Sequence, residues 1–214
     1  MKFSDLKNLS IYLVIFLSTF LMFSACSEEN SFEVPFPTSL GVLSEQVVAD
    51  LQFLREEEKL ARDVYLFAYE QHGLNIFNNI AKSEQQHTDQ VKLLLDQYGI
   101  EDPASTQEGV FINETLQQLY IDLTTKAALS LTDALEVGAT IEDLDIRDLN
   151  TMAKNSERDD ISLLYQNLAC GSANHMRSFY SLLQHQGVNY EVQFISEAEL
   201  QTILTASNSG CGGL

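Results

Sequence analysis

The chain has 214 residues, long enough for an export segment followed by one domain of ordinary size, and 31 acidic against 12 basic residues give a formal net charge of −19. Such an acidic chain is poorly suited to polyanions, so nucleic acid and acidic membrane surfaces are set aside as partners. Its three cysteines include no Cys-x-x-Cys, which excludes a rubredoxin-like electron-transfer site within the chain.

The N-terminus places Lys2 and Lys7 before an apolar run from Ile11 to Phe23, and Ser24, Ala25 and Cys26 follow. A charged start, an apolar stretch and small residues form the pattern of an export signal, here residues 1–25. A cysteine directly after two small residues resembles the lipobox of bacterial lipoproteins, in which the signal is removed and Cys26 becomes the lipidated N-terminus. Phe23 stands where that pattern usually has Leu, and an uncleaved anchor helix or cleavage without lipid are the alternatives. Residues 26–43, with Pro35 and Pro37, read as a flexible tether. The chain is thus expected to be an exported, membrane-anchored lipoprotein facing the periplasm or the cell surface.

A domain over 44–187 follows. Ser44 can cap a first helix that Gly73 ends, and Asn75 can cap a second that Gly99 closes. The segment from Ile100 to Leu129 contains Pro103, a polar turn and a shorter helix from about Glu114 to Ala127, so it is a structured crossover. Ser130 then caps a third long helix, and Asp159 or Asp160 a fourth. Short link, long crossover and short link are the connectivity of a ferritin-like four-helix bundle, all-α, with an extra helix between its second and third members. The extension 188–214 carries one short helix near 197–204.

Each long helix has an apolar seam in steps of three and four residues, and each seam is broken at mid-length. The first passes Leu51, Leu54, Glu58, Ala61 and Tyr65, and the second Ile80, Glu84, His87 and Val91. The third passes Leu135, Gly138, Glu142, Asp145 and Leu149, and the fourth Leu168, Ser172, His175 and Phe179. Glu84-x-x-His87 alone is an ordinary feature of a wet helix face; four coincident interruptions are not. A buried carboxylate costs several kcal/mol unless compensated, and four together repel one another. Two divalent cations would balance them, with imidazole nitrogen completing a ligand set suited to iron or manganese.

The residues also carry a resemblance. Glu58 with Ala61, Arg62 and Tyr65, the Glu84–His87 pair and the Glu142–Asp145 pair resemble the first three helices of rubrerythrin-type ferritin-like proteins. Longer phrases are similar to the ferritin-like domain-of-unknown-function family 2202: Glu56 to Tyr65, Phe77 to His87, Ile141 to Leu149, and Gly171 to His175. The likeness spans Ser44 to about Tyr190. It implies metal ligands at Glu58, Glu84, His87, Glu142, Asp145 and His175. Where rubrerythrins carry a glutamate three residues before the fourth-helix histidine, this chain has Ser172, so a one-metal variant stays open, with Asp145 as a substitute charge.

Arg62, Tyr65 and Asn174 are candidates for orienting the ligands. Cys170 lies off the metal-facing stripe, suited to packing or to a disulfide with Cys211, which sits in a Gly-rich end that reads as a redox tail or as disorder. Two functions follow. One is a di-iron or iron/manganese oxidoreductase acting on peroxide, oxygen or ferrous iron, served by an external electron donor. The other is a non-catalytic metal-binding or structural lipoprotein, with zinc as a further candidate ion; a homodimer is compatible with either.

Overall fold

The computed structural model describes residues 42–156, 158–207 and 210–211, and among them lie six α-helices and no strand. They are α1 (Glu45–His72), α2 (Asn75–Tyr98), α3 (Glu114–Ala127), α4 (Leu131–Asn155), α5 (Asp159–His185) and α6 (Glu197–Thr205). The export signal, Cys26 and the tether as far as residue 41 lie outside the described residues. No helix among the described residues is long and apolar enough to cross a membrane.

Local chemistry sets most helix ends. Ser44 Oγ accepts from the Val47 amide, and Ser130 Oγ accepts from the Asp133 amide. Gly73 and Gly99 end α1 and α2 with φ of 66°, a left-handed conformation that glycine adopts without steric cost. Two expected caps are displaced. Leu74, not Asn75, precedes α2 and makes no side-chain cap, and Arg158 precedes α5 while Asp159 and Asp160 fall in its first turn. There the two acids face the positive end of the helix dipole instead of capping it.

The α1 and α2 helices fold back on each other, as do α4 and α5; α1 also meets α4, and α2 meets α5. The resulting helical bundle has two apolar clusters. One contains Tyr65, Ala68, Phe77, Leu135 and Phe179. The other contains Leu51, Leu54, Val91, Leu149 and Leu164. On each of the four long helices the seam-breaking residues fall between members of one cluster and members of the other.

Helix α1 is buried on its polar side too, because the crossover lies across it. Lys59 Nζ sits 2.6 Å from Asp63 Oδ2, donates to the carbonyls of Gln107 and Val110, and lies 4.3 Å from the Phe111 ring centre. Asp63 also accepts from the Gly109 amide. Glu56 accepts from the amides of Ile112 and Asn113, and Arg55 grips Asp102 through two 3.0 Å bonds. Thus the charged phrase Glu56 to Asp63 anchors the crossover that feeds α3, which packs on α1 and α4. At the far side, buried Asp143 accepts from the amides of Gln193, Phe194 and Ile195 and from Tyr190 Oη, fixing the turn before α6.

Truncating Asp63 leaves the Lys59 ammonium buried with only carbonyl acceptors. Asp63→Ala is therefore expected to lower the unfolding free energy by about 3–5 kcal/mol, read by denaturant titration of the metal-free protein.

Candidate metal centre

Glu58 enters from α1, Glu84 and His87 from α2, Glu142 from α4 and His175 from α5. All five side chains are buried, the three glutamates completely. Glu84 is the shared member. Its Oε2 lies 2.7 Å from His87 Nδ1, which is 3.2 Å from Glu58 Oε2; its Oε1 lies 2.7 Å from His175 Nδ1, which is 3.5 Å from Glu142 Oε2. Two groups result, Glu58–Glu84–His87 and Glu84–Glu142–His175, and in each the ligand atoms lie within 4.8 Å of one another. Either group could hold a metal ion.

The donor chemistry fits cations. Glu58 Oε1, both oxygens of Glu84, Glu142 Oε2 and His175 Nδ1 are buried without a hydrogen-bond partner, although His175 Nδ1 and Glu84 Oε1 stand close together. Proximity without hydrogen-bond alignment is what lone pairs aimed at a common point produce. Ligands about 2.1 Å from one ion stand roughly 3 Å apart, which the observed separations approach.

Surrounding groups hold the imidazoles. Ser83 Oγ lies 3.0 Å from His175 Nε2, leaving Nδ1 for the centre. His87 is set by backbone: a Cβ on Gly171 would stand 2.5 Å from His87 Nε2, so α5 lets the ring in only because it has no side chain there. The two rings stack with centroids 5.6 Å apart.

Other residues singled out from the sequence lie as follows. Tyr65 Oη donates to Glu142 Oε1 at 2.5 Å and so orients a ligand. Arg62 turns instead to Asp63 and Gln85. Buried Ser172 donates to the Leu168 carbonyl, supplying nothing in place of the absent acid. Asn174 bonds to Cys211 and Arg177. Cys170 and Cys211 are joined in a disulfide.

Asp145 is buried with neither oxygen hydrogen-bonded, yet it belongs to neither three-residue group. Burial, then the negative charge of Glu57, pushes its carboxyl well up. Glu57 itself is a buried acid without a hydrogen-bond donor, pushed well up by burial and by Asp148. Sequence reasoning passed over Glu57, although it stands three residues after Leu54 and four before Ala61 on the seam. Ser83 and Gly171 were missed as well, and only the folded packing gives them a role.

Without metal, protons do the work of cations. Burial raises Glu58 to about 7 against the pull of His87. Burial lowers His175, but Glu84 and Glu142 outweigh it and raise the imidazole to about 10. Burial also pushes on Glu84, and here the two imidazoles win, holding it well below the ordinary carboxyl range.

The signs give a pH profile. Glu58 is raised in the fold, so its contribution is complete below 4.5 and lost as pH rises through about 7. For His175 the corresponding loss runs from 6.5 through about 10. Metal-free protein is expected to melt at progressively lower temperature between these limits, and a saturating divalent ion should flatten the profile, both read by calorimetry. Separately, Gly171→Ala should leave the helical content unchanged while weakening metal affinity about tenfold or more in direct titration, because His87 must move.

Comparison with known proteins places these features in a wider set. The chain is 49% identical over 166 residues to the uncharacterized protein MJ0754 of Methanocaldococcus jannaschii, covering 77% of this chain and 90% of the relative. A crystal structure of that hypothetical protein, with 47% sequence identity, superposes with a TM-score of 0.78 over 80% of this chain and 99% of the other. Residues 48–207 match the model of the uncharacterized protein domain DUF2202. The chain therefore belongs to the DUF2202 family.

Proposed function

We propose that this chain is a ferritin-like four-helix protein holding two divalent ions, iron or iron with manganese, and acting as an oxidoreductase on peroxide, oxygen or ferrous iron. The observation that carries the reading is Glu84, whose two carboxylate oxygens each face a different imidazole and a different second carboxylate. Glu84 would thus be a ligand common to both ions. Glu58 and His87 would complete one ion's protein ligands, and Glu142 and His175 the other's. Three protein groups would hold each ion, and the bound ions would supply redox chemistry toward a small oxygen species.

The chain's own part is to hold and dry the centre. Tyr65 positions Glu142, Ser83 fixes the His175 ring, and the apolar clusters on either side exclude water. Asp145 stands nearby as a reserve of negative charge. The folded domain over 44–187, with the extension 188–214, would be carried on the tether 26–43 from a lipidated Cys26, facing the periplasm or the cell surface, and an external electron donor would sustain turnover. The support for this anchoring is the sequence pattern of residues 1–26.

Metal analysis after anaerobic loading with ferrous iron tests the reading. About two irons per chain and consumption of added peroxide are expected, with Glu84→Gln losing both ions because it serves both groups. One iron per chain would leave a single-metal site, and inert zinc without turnover would favour a structural metal-binding protein.

A further inference from the structure

A pocket of about 260 Å³ lies against the two imidazoles of the centre on the side away from the glutamates, and its wall includes Ser83, His87, His175, Gly171, Asn174 and Cys211. Cys211 is bonded to Cys170, the residue immediately before the glycine against which His87 packs. We infer that Cys170 and Cys211 form a two-electron redox couple serving the metal centre: as a dithiol the pair reduces a small hydroperoxide bound in this pocket and closes to the disulfide. The inference rests on the metal reading above.

Three observations support it. The first is position, since one sulfur shares a small cavity with both imidazoles. The second is polarity around that sulfur. Asn174 Nδ2 donates to Cys211 Sγ at 3.2 Å, and the Arg177 guanidinium donates in turn to Asn174 Oδ1. A cationic group acting through an amide on one sulfur stabilises that sulfur as a thiolate. The third is access: both cysteines are partly exposed, so an external thiol can reach and reduce the bond.

The chemistry balances. Two S–H bonds break and one S–S bond forms, while the O–O bond of hydrogen peroxide breaks and accepts the two electrons and two protons, leaving two waters. Thiol–disulfide exchange with an external dithiol restores the couple. This arrangement answers the lack of a Cys-x-x-Cys electron-transfer site: the electrons would enter as a thiol pair beside the centre.

The test uses the full chain with its disulfide reduced by a phosphine, freed of reductant, loaded with ferrous iron and titrated anaerobically with hydrogen peroxide. Thiols at 170 and 211 are counted by alkylation and mass spectrometry. The wild-type chain is expected to consume about two equivalents and regain the disulfide, and Cys211→Ser about one, since only the iron then supplies electrons. Disulfide return should be about tenfold slower or more in the metal-free chain and in Glu84→Gln. Asn174→Ala should slow it in the loaded chain. Thiols that remain reduced after peroxide is consumed, or a disulfide that returns equally fast without metal, would overturn the couple while leaving the metal reading intact. If iron-loaded Cys211→Ser consumes no peroxide, the metal reading fails and the couple falls with it.

Discussion

Burial of acid at mid-length is the constraint on which the rest of this molecule depends. Glu58, Glu84, Glu142 and Asp145 lie in one layer between two apolar clusters, none more than 1% exposed. No arrangement of Leu and Val can neutralise that layer. Imidazoles meet part of the demand, and in the metal-free chain bound protons meet more of it. Every cation admitted there, proton or metal, is a folding ligand as well as a site ligand, so binding and stability are one equilibrium.

The same constraint explains why charge is spent so heavily elsewhere on the bundle. Between Glu56 and Ala61, helix α1, which carries Glu58 inward and supports the crossover on its other side, is buried all round. Charges in and beside that stretch are paired, Lys59 with Asp63 in the interior and Arg55 with Asp102 at its edge, or used as acceptors for backbone, as Glu56 is for the start of α3. Asp143 does the equivalent task on α4, one residue beyond Glu142 and turned to the segment before α6. Buried acids in this fold thus divide into those whose oxygens are all met by donors, which hold chain, and those that keep at least one oxygen without a hydrogen-bond partner, among them the three glutamates of the centre. Glu57 and Asp145 belong to the second kind by their lack of donors, although neither joins a three-residue group.

Precision at the centre comes from small residues as much as from ligands. Gly171 admits the His87 ring, and Gly138 admits Phe179, whose ring would stand 2.5 Å from a Cβ at that position. Phe179 in turn packs on Tyr65, which holds Glu142. A chain of steric and hydrogen-bonded contacts therefore runs from a glycine on α4 through an aromatic pair back to a ligand on the same helix.

The sequence by itself determined the helices, their order and the residues that interrupt their seams, because helix periodicity, Ser and Asn caps and Gly stops act within a few residues. The mid-length acids and histidines were legible for the same reason: an apolar stripe broken in four places is a local pattern read four times. The cap positions before α2 and α5 are not legible, since Leu74 and Arg158 are not capping types and their polar neighbours Asn75, Asp159 and Asp160 are. What only the tertiary structure decided is which carboxylate is shared, which acids are satisfied and where the disulfide lies. Glu84 sits between two histidines because two hairpins pack against each other; Glu57 is buried where α1 meets α4; Cys211 reaches the pocket through its bond to Cys170 of α5. These are contacts between residues far apart in the chain, and no local periodicity encodes them.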